Sequence, residues 1–408
     1  MAYTFSFVDR QILSILFEPI KAELALSDSE LGFLGGFAFA LTYSILGVPL
    51  AMLADRRGRK SIITVSLAVF STMTVLCGMA SSFLYLALAR VGVGIGEAGV
   101  NPASQSIVAD LYPREQRSTP MSIIAAGAPA GTVLGLIGGG LVAANFGWRS
   151  AFYAVGLPGV VLAIVIAFTM KEPVRGNSDH ATKGLRDAPK LGAVLAYMWH
   201  TPATRYLLYA STLSSVSGYG VNAWFPAFFM RTHELSISQV GLIIGIIGGG
   251  CGIAGALLGG WLFDRISNQH STRAALRLLA AVLIVAYPMS LALFFASNLS
   301  IAIGFLLIPA MSSAFFLGPA NALMQSLVSV RMRAVASSIS SLVGNLIGLG
   351  LGPLAVGALS DLFRSAYGEA GLAYALAIVA SAGCLAAIAF FATARHVDAG
   401  LEQAAQEI

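Results

Sequence analysis

Charge is the scarcest ingredient of this 408-residue chain. Asp, Glu, Lys and Arg make up 11% of it, against about 25% in an average soluble domain. With 24 basic and 19 acidic side chains, the surface of a water-soluble multidomain enzyme cannot be covered, nor a disordered chain kept in solution. Cysteine is almost as rare. Cys77, Cys251 and Cys384 all fall in apolar segments without metal-ligand spacing, so they read as packing residues and exclude a disulfide scaffold. The five histidines (His180, His200, His233, His270 and His396) lie in loops or at span ends, and no two are four apart. No metal or other cofactor is expected. A Gly-rich phosphate loop ending in Gly-Lys-Ser/Thr is missing, so ATP is not the energy source, and an enzyme is not the expected function.

What the chain has is apolar length. It is 57% hydrophobic with 44 glycines, and its mean hydropathy is +0.80. A helix needs about 20 apolar residues to cross a bilayer. On that basis twelve spans are expected at 2–22, 31–54, 61–80, 84–109, 118–143, 148–170, 203–230, 236–263, 274–296, 299–328, 334–362 and 366–394. Abundant glycine fits close helix approach in lipid. No cleavable signal peptide is recognisable. Met1-Ala2-Tyr3 runs straight into apolar sequence, which reads as a first span without its cytoplasmic leader.

One connection is long. Residues 171–200, from Lys171 to His200, divide the spans six and six. The expected organisation is an N-terminal domain at 1–170, a cytoplasmic linker at 171–200, a C-terminal domain at 201–395 and a tail at 396–408. The net charge of +5 does not point to nucleic acid, because the basic residues collect in short loops between apolar spans. With both termini inside, 18 of the 24 Lys and Arg residues fall in cytoplasmic loops, while Lys21, Arg149, Arg231 and Arg364 fall outside. The reverse orientation would invert that bias. A multi-pass protein of a bacterial inner membrane, with both termini cytoplasmic, is expected.

The halves echo each other. Asp55-Arg56 after the second span and Asp264-Arg265 after the eighth lie 209 residues apart, and Arg117 after the fourth and Arg333 after the tenth lie 216 apart. Duplicated six-helix units are a common construction for transporters with a site near the membrane midplane.

Apart from charges at helix ends, four formal charges sit inside spans: Asp9 and Arg10 in the first, Arg90 and Glu97 in the fourth. Each costs about 2.5–3.5 kcal/mol at a span centre unless partnered. Neighbours in sequence diverge by about 100° on a helix, and residues seven apart are separated by about 10 Å, so partners must come from the other helix. Antiparallel packing pairs Asp9 with Arg90 and Arg10 with Glu97. Two readings are open: structural ties between the helices, or a proton switch in which a protonated Asp9 or Glu97 frees an arginine for an anion. The second half has no such charge. Tyr219, Asn222, Trp224, Asn321 and Asn345 are its candidate substrate contacts, beside Arg10, Arg90 and Glu97, although each also suits packing.

Several segments resemble the major facilitator superfamily across essentially the whole chain. Asp55-Arg56-Arg57-Gly58-Arg59-Lys60 is similar to its loop signature, with Ala51 where a glycine is usual. The glycines around Pro129 and the run Gly348-Leu349-Gly350-Leu351-Gly352-Pro353 resemble its glycine–proline motifs. Within it, the spinster family of lysolipid and sphingosine-phosphate transporters is the best match. Phe7-Val8-Asp9-Arg10, Arg90-Val91-Gly92-Val93-Gly94-Ile95-Gly96-Glu97-Ala98, Ala109-Asp110-Leu111, Gln116-Arg117-Ser118, Lys171-Glu172-Pro173-Val174-Arg175-Gly176 and Trp224-Phe225-Pro226-Ala227-Phe228 carry that resemblance. It implies an all-α membrane protein of twelve transmembrane helices in two pseudo-symmetric six-helix domains, working by alternating access. It also implies a conformational latch in which Asp55 and Arg56 act in the loop and Arg59 pairs with Asp110. The expected substrate is an anionic lysolipid-like amphiphile, with protons and membrane lipids as further partners and a monomer as the working form. Proton-coupled transport of small organic anions such as sugar acids, or drug efflux, is the alternative.

Overall fold

The computed structural model describes residues 1–112, 116–172 and 191–406, without the side chains of Val48, Ala51, Ala54, Asp55, Arg56, Arg57, Ala109 and Ser118. Residues 173–190 of the expected linker lie outside this description. Among the described residues every regular element is a helix, which lets each span satisfy its own backbone in lipid.

The first expected span is α1 (Ala2–Ile15) and α2 (Phe17–Leu24), broken at Leu16. The second is α3 (Asp28–Gly32), a wide π turn at Phe33–Phe37, then α4 (Ala38–Arg57). The third is α5 (Arg59–Gly78), and the fourth is α6 (Phe83–Glu97) with α7 (Val100–Leu111). The fifth and sixth are α8 (Ser118–Phe146) and α9 (Trp148–Thr169).

Helix α10 (Leu191–His200) occupies the last part of the expected linker at 171–200. Its Val194 and Met198, four apart on one face, are buried in the same core as Ala203 and Leu207, and that burial orders the helix. Then come α11 (Pro202–His233), α12 (Ile237–Ile243), a π turn at Ile244–Gly248, and α13 (Gly249–Gln269). The ninth and tenth spans are α14 (Thr272–Phe294), and α15 (Leu299–Phe315) with α16 (Leu317–Ser326). The eleventh is α17 (Arg333–Val343), a π turn at Gly344–Leu351 and α18 (Gly352–Tyr367). The last is α19 (Gly371–Ala380) with α20 (Ala382–Gln406), which continues through most of the expected tail because Val397, Gly400 and Ala404 are buried.

Nine helical stretches among the described residues are long and apolar enough to cross a membrane, and the last of these, Arg333–Gln406, runs for 74 residues. That stretch turns at Gly368, and Ala2–Leu24 and Pro202–His233 fill the two remaining positions, so the helices are consistent with twelve crossings. Helix α1 stops short at Leu16, and α11 is rich in Ser, Thr and Tyr, which lowers its hydropathy.

By contact the chain forms two compact units. One comprises Met1–Lys183 with Ala223–Gly249, the other Gly184–Asn222 with Gly250–Ile408. In the first, α1 packs along α8, and α5 along α6 and α9. In the second, α14 packs on α15 and α20, and α18 on α19.

The internal echo extends to backbone detail. Ala25 and Glu234, 209 residues apart, both adopt the left-handed conformation, with φ of 52° and 53°. Two residues later Ser27 and Ser236 cap α3 and α12 with capping boxes closed by Glu30 and Gln239. A π turn follows in each, at Phe33–Phe37 and Ile244–Gly248.

Candidate functional site

The four intramembrane charges meet in the first unit. Arg90 donates to Asp9 Oδ2 at 2.7 Å, and Arg10 donates through Nε to Glu97 Oε2 at 2.8 Å, its second amino group lying at the same distance. These are the two pairs expected from helix geometry. Both lie between α1 and α6, and the four charges cancel.

Local sequence explains the approach. Helix α6 carries alternate glycines, and a Cβ at Gly94 would sit 2.6 Å from the carbonyl oxygen of Phe39. Glycine there lets α6 press against α4, close enough for Thr42 to donate to the Val91 carbonyl at 3.1 Å.

The two pairs differ in access. Asp9 and Arg90 are buried, at 0% and 1% exposure. Asp9 Oδ1 also receives the Thr74 hydroxyl at 2.5 Å, a proton shared with the Phe70 carbonyl at 2.9 Å. Arg10 is the accessible member, with 15% of its side chain exposed. Its guanidinium lies 4.6 Å from the ring centroids of both Phe39 and Tyr43 and 5.1 Å from that of Phe7. Planar cations favour such aromatic faces. Glu97 is buried, and Oε1 receives no hydrogen bond from any described residue, because both contacts from Arg10 go to Oε2. A carboxylate with one idle buried oxygen has a place for a proton.

Sequence reasoning did not find Thr74, Phe39 or Tyr43. A threonine on α5 and aromatic residues on α4 are ordinary packing in a linear reading. The signal that could have found Thr74 is the need of a fully buried carboxylate for a second donor.

The remaining candidates are dispersed. Trp224, expected to touch substrate, is fully buried and packs on Phe17 at 4.9 Å, so here it is a wall residue. Tyr219 and Asn222 on α11 and Asn321 on α16 are exposed, and Asn345 is half-buried in the π turn after α17. Arg59 and Asp110 form an ion pair in which both side chains are about nine-tenths buried. The side chains of Asp55 and Arg56 lie outside the described residues. Beside them, Glu172 accepts from the backbone N–H groups of Arg59 and Lys60 at 2.7 and 2.8 Å. It thereby caps α5, where Gly58 takes a φ of 106°.

A second charge cluster, which no sequence motif marks, gathers around Arg231. Arg231 donates to Glu18 at 2.7 and 2.9 Å and to both oxygens of Asp28 at 2.7 and 2.8 Å. Lys21 donates to Asp28 at 2.5 Å. The sequence signal was present: a cation ending one span at the level where acids end two others.

The chain is 33% identical over 407 residues to an MFS-type efflux pump of Mycolicibacterium smegmatis (strain ATCC 700084 / mc(2)155), covering 98% of this chain and 92% of that protein. It is 24% identical over 433 residues to the sphingosine-1-phosphate transporter SPNS2 of Danio rerio, covering 99% and 84%. The crystal structure of a bacterial homologue of the human lysosomal transporter Spinster, in an inward-facing and unoccupied conformation, matches with a TM-score of 0.89 and 29% identity, over 98% of this chain and 96% of that one. Residues 1–353 match the Major Facilitator Superfamily. The chain therefore belongs to that superfamily and is a membrane transporter of the spinster type, not an enzyme.

Proposed function

We propose that this transporter moves an anionic lysolipid-like amphiphile, of lysophospholipid or sphingosine-phosphate type, by alternating access coupled to protons. The observation that carries this reading is the Arg10–Glu97 pair. Its cation is partly accessible and ringed by Phe7, Phe39 and Tyr43, while its buried acid keeps Oε1 idle. Protonation of Glu97 releases the Arg10 guanidinium, which then offers bidentate donors to a phosphate. The aromatic collar suits the first carbons of an acyl chain. Asp9 and Arg90 form the second switch, held by Thr74, and the second half contributes Tyr219, Asn222, Asn321 and Asn345. In this reading the six-helix halves, 1–170 and 201–395, rock about the site, and the loop carrying Asp55, Arg56 and Arg59, with Asp110, latches one end state. The protein acts as a monomer in a bacterial inner membrane with both termini cytoplasmic. The name of the zebrafish relative supports the substrate class.

Drug efflux is the second reading, favoured by the mycobacterial relative. Proteoliposomes with an imposed pH gradient separate the possibilities. Labelled lysophosphatidylglycerol flux is expected to be saturable, to follow the gradient and to lose that dependence in Glu97→Gln. Competition by glucuronate but not by lysolipids would establish the sugar-acid reading instead. Flux of a cationic dye alone would establish efflux.

A further inference from the structure

Helices α14 and α20 enclose a pocket of about 530 Å³ in the second unit, lined by Arg277, Ile388, Phe391, Ala392, Ala394 and Arg395. Positions 388, 391, 392 and 395 recur at helical spacing, so α20 presents an apolar strip ending in a cation. Ile388 and Phe391 are 64% and 37% exposed, and Arg277 and Arg395 are exposed as well. Neither arginine makes an ion pair or hydrogen bond with any described residue. The nearby acid, Asp398, is taken by Arg273 at 2.6 Å.

The level of this pocket relative to a membrane is marked independently. His396, next to Arg395, stacks on Tyr206 at 5.8 Å, and Trp199 and Tyr209 lie edge to face close by at 6.3 Å. Trp199 and Tyr209 are 56% and 38% exposed. Exposed Trp and Tyr gather where hydrocarbon meets headgroups. Arg395 thus lies at headgroup depth, with Phe391 and Ile388 about one and two turns away along the helix.

We infer that this pocket binds an anionic membrane phospholipid, its phosphate between Arg277 and Arg395 and an acyl chain along Ile388 and Phe391. Two neighbouring cations without a counter-charge call for an anion, and basic clefts between spans at headgroup level suit lipid phosphates. The apolar strip distinguishes a lipid from a free anion, since a phosphate ion would leave Ile388 and Phe391 uncovered. A zwitterionic lipid would bring its own cation against the arginines. The site is separate from the Arg10–Glu97 pair and does not depend on the transported substrate.

The test is non-denaturing mass spectrometry of the purified full chain titrated with phosphatidylglycerol, with phosphatidylcholine of the same chains, and with inorganic phosphate. Phosphatidylglycerol is expected to bind at least about tenfold more tightly than phosphatidylcholine, each surface cation being worth about fivefold. The double variant Arg277→Gln, Arg395→Gln should erase that preference, while Arg364→Gln, at the opposite end of its unit, should keep it. Lysine at both positions should retain most of it, which separates charge from fold damage. Equal binding of both lipids by the wild type, an undiminished preference in the double variant, or displacement of phosphatidylglycerol by equimolar phosphate would each overturn the inference.

Discussion

Arg10 and Arg90 stand over the same aromatic ring: their guanidinium carbons lie 4.6 and 5.5 Å from the centroid of Phe39. Each arginine is bound to a different acid, Glu97 and Asp9, so the ring is common to two otherwise separate ion pairs. It places two like charges in one neighbourhood and offsets part of their repulsion through its face.

Replacing Phe39 with Leu removes both contacts while keeping a buried apolar side chain. Thermal unfolding of the purified protein is expected to show a loss of about 2 kcal/mol, from two cation–π contacts and partial cavity formation. Phe39→Tyr, which preserves the ring, should retain most of the stability.

The Asp9–Arg90 pair is buried on both sides, so removing one partner leaves a charge without compensation. Asp9→Asn and Arg90→Gln alone should each cost about 3–5 kcal/mol. The double variant should cost less than the sum of the two, with a coupling measurable in a double-mutant cycle. Glu97→Gln should cost less than Asp9→Asn, because Arg10 keeps its aromatic neighbours and some solvent. Additive losses in the cycle would show that the pair is not energetically coupled.

Arg231 is held by four hydrogen bonds to two acids, and Asp28 is 1% exposed. Arg231→Ala is expected to lower stability by about 3 kcal/mol, because buried Asp28 loses both guanidinium hydrogen bonds. Arg231→Lys should recover only part of this, since an ammonium cannot grip two carboxylates with a planar fork. Melting temperatures in detergent distinguish the three proteins.

The sequence was informative where one physical constraint had one solution. Low charge left few intramembrane ions, and helix geometry then named Asp9–Arg90 and Arg10–Glu97 as the pairs. The duplicated loops at Asp55 and Asp264 pointed to a repeat that Ala25 and Glu234 reproduce in backbone conformation. It was less informative where many residue types serve equally well. Nothing local distinguishes Thr74 from other threonines, and Val194 and Met198 in α10 resemble linker residues until a core is present to receive them.

Composition, hydropathy period and the position of each charge by themselves determined a helical membrane protein, its expected spans and its short list of ions. Those properties follow from the cost of charge and unpaired backbone in hydrocarbon, which a linear chain already displays. Which ion is accessible, which carboxylate oxygen is idle, and where cations such as Arg231, Arg277 and Arg395 find or lack partners emerge only once the helices have packed. Those properties depend on distances across helices, and glycines such as Gly94 set them by allowing approaches that no single segment specifies.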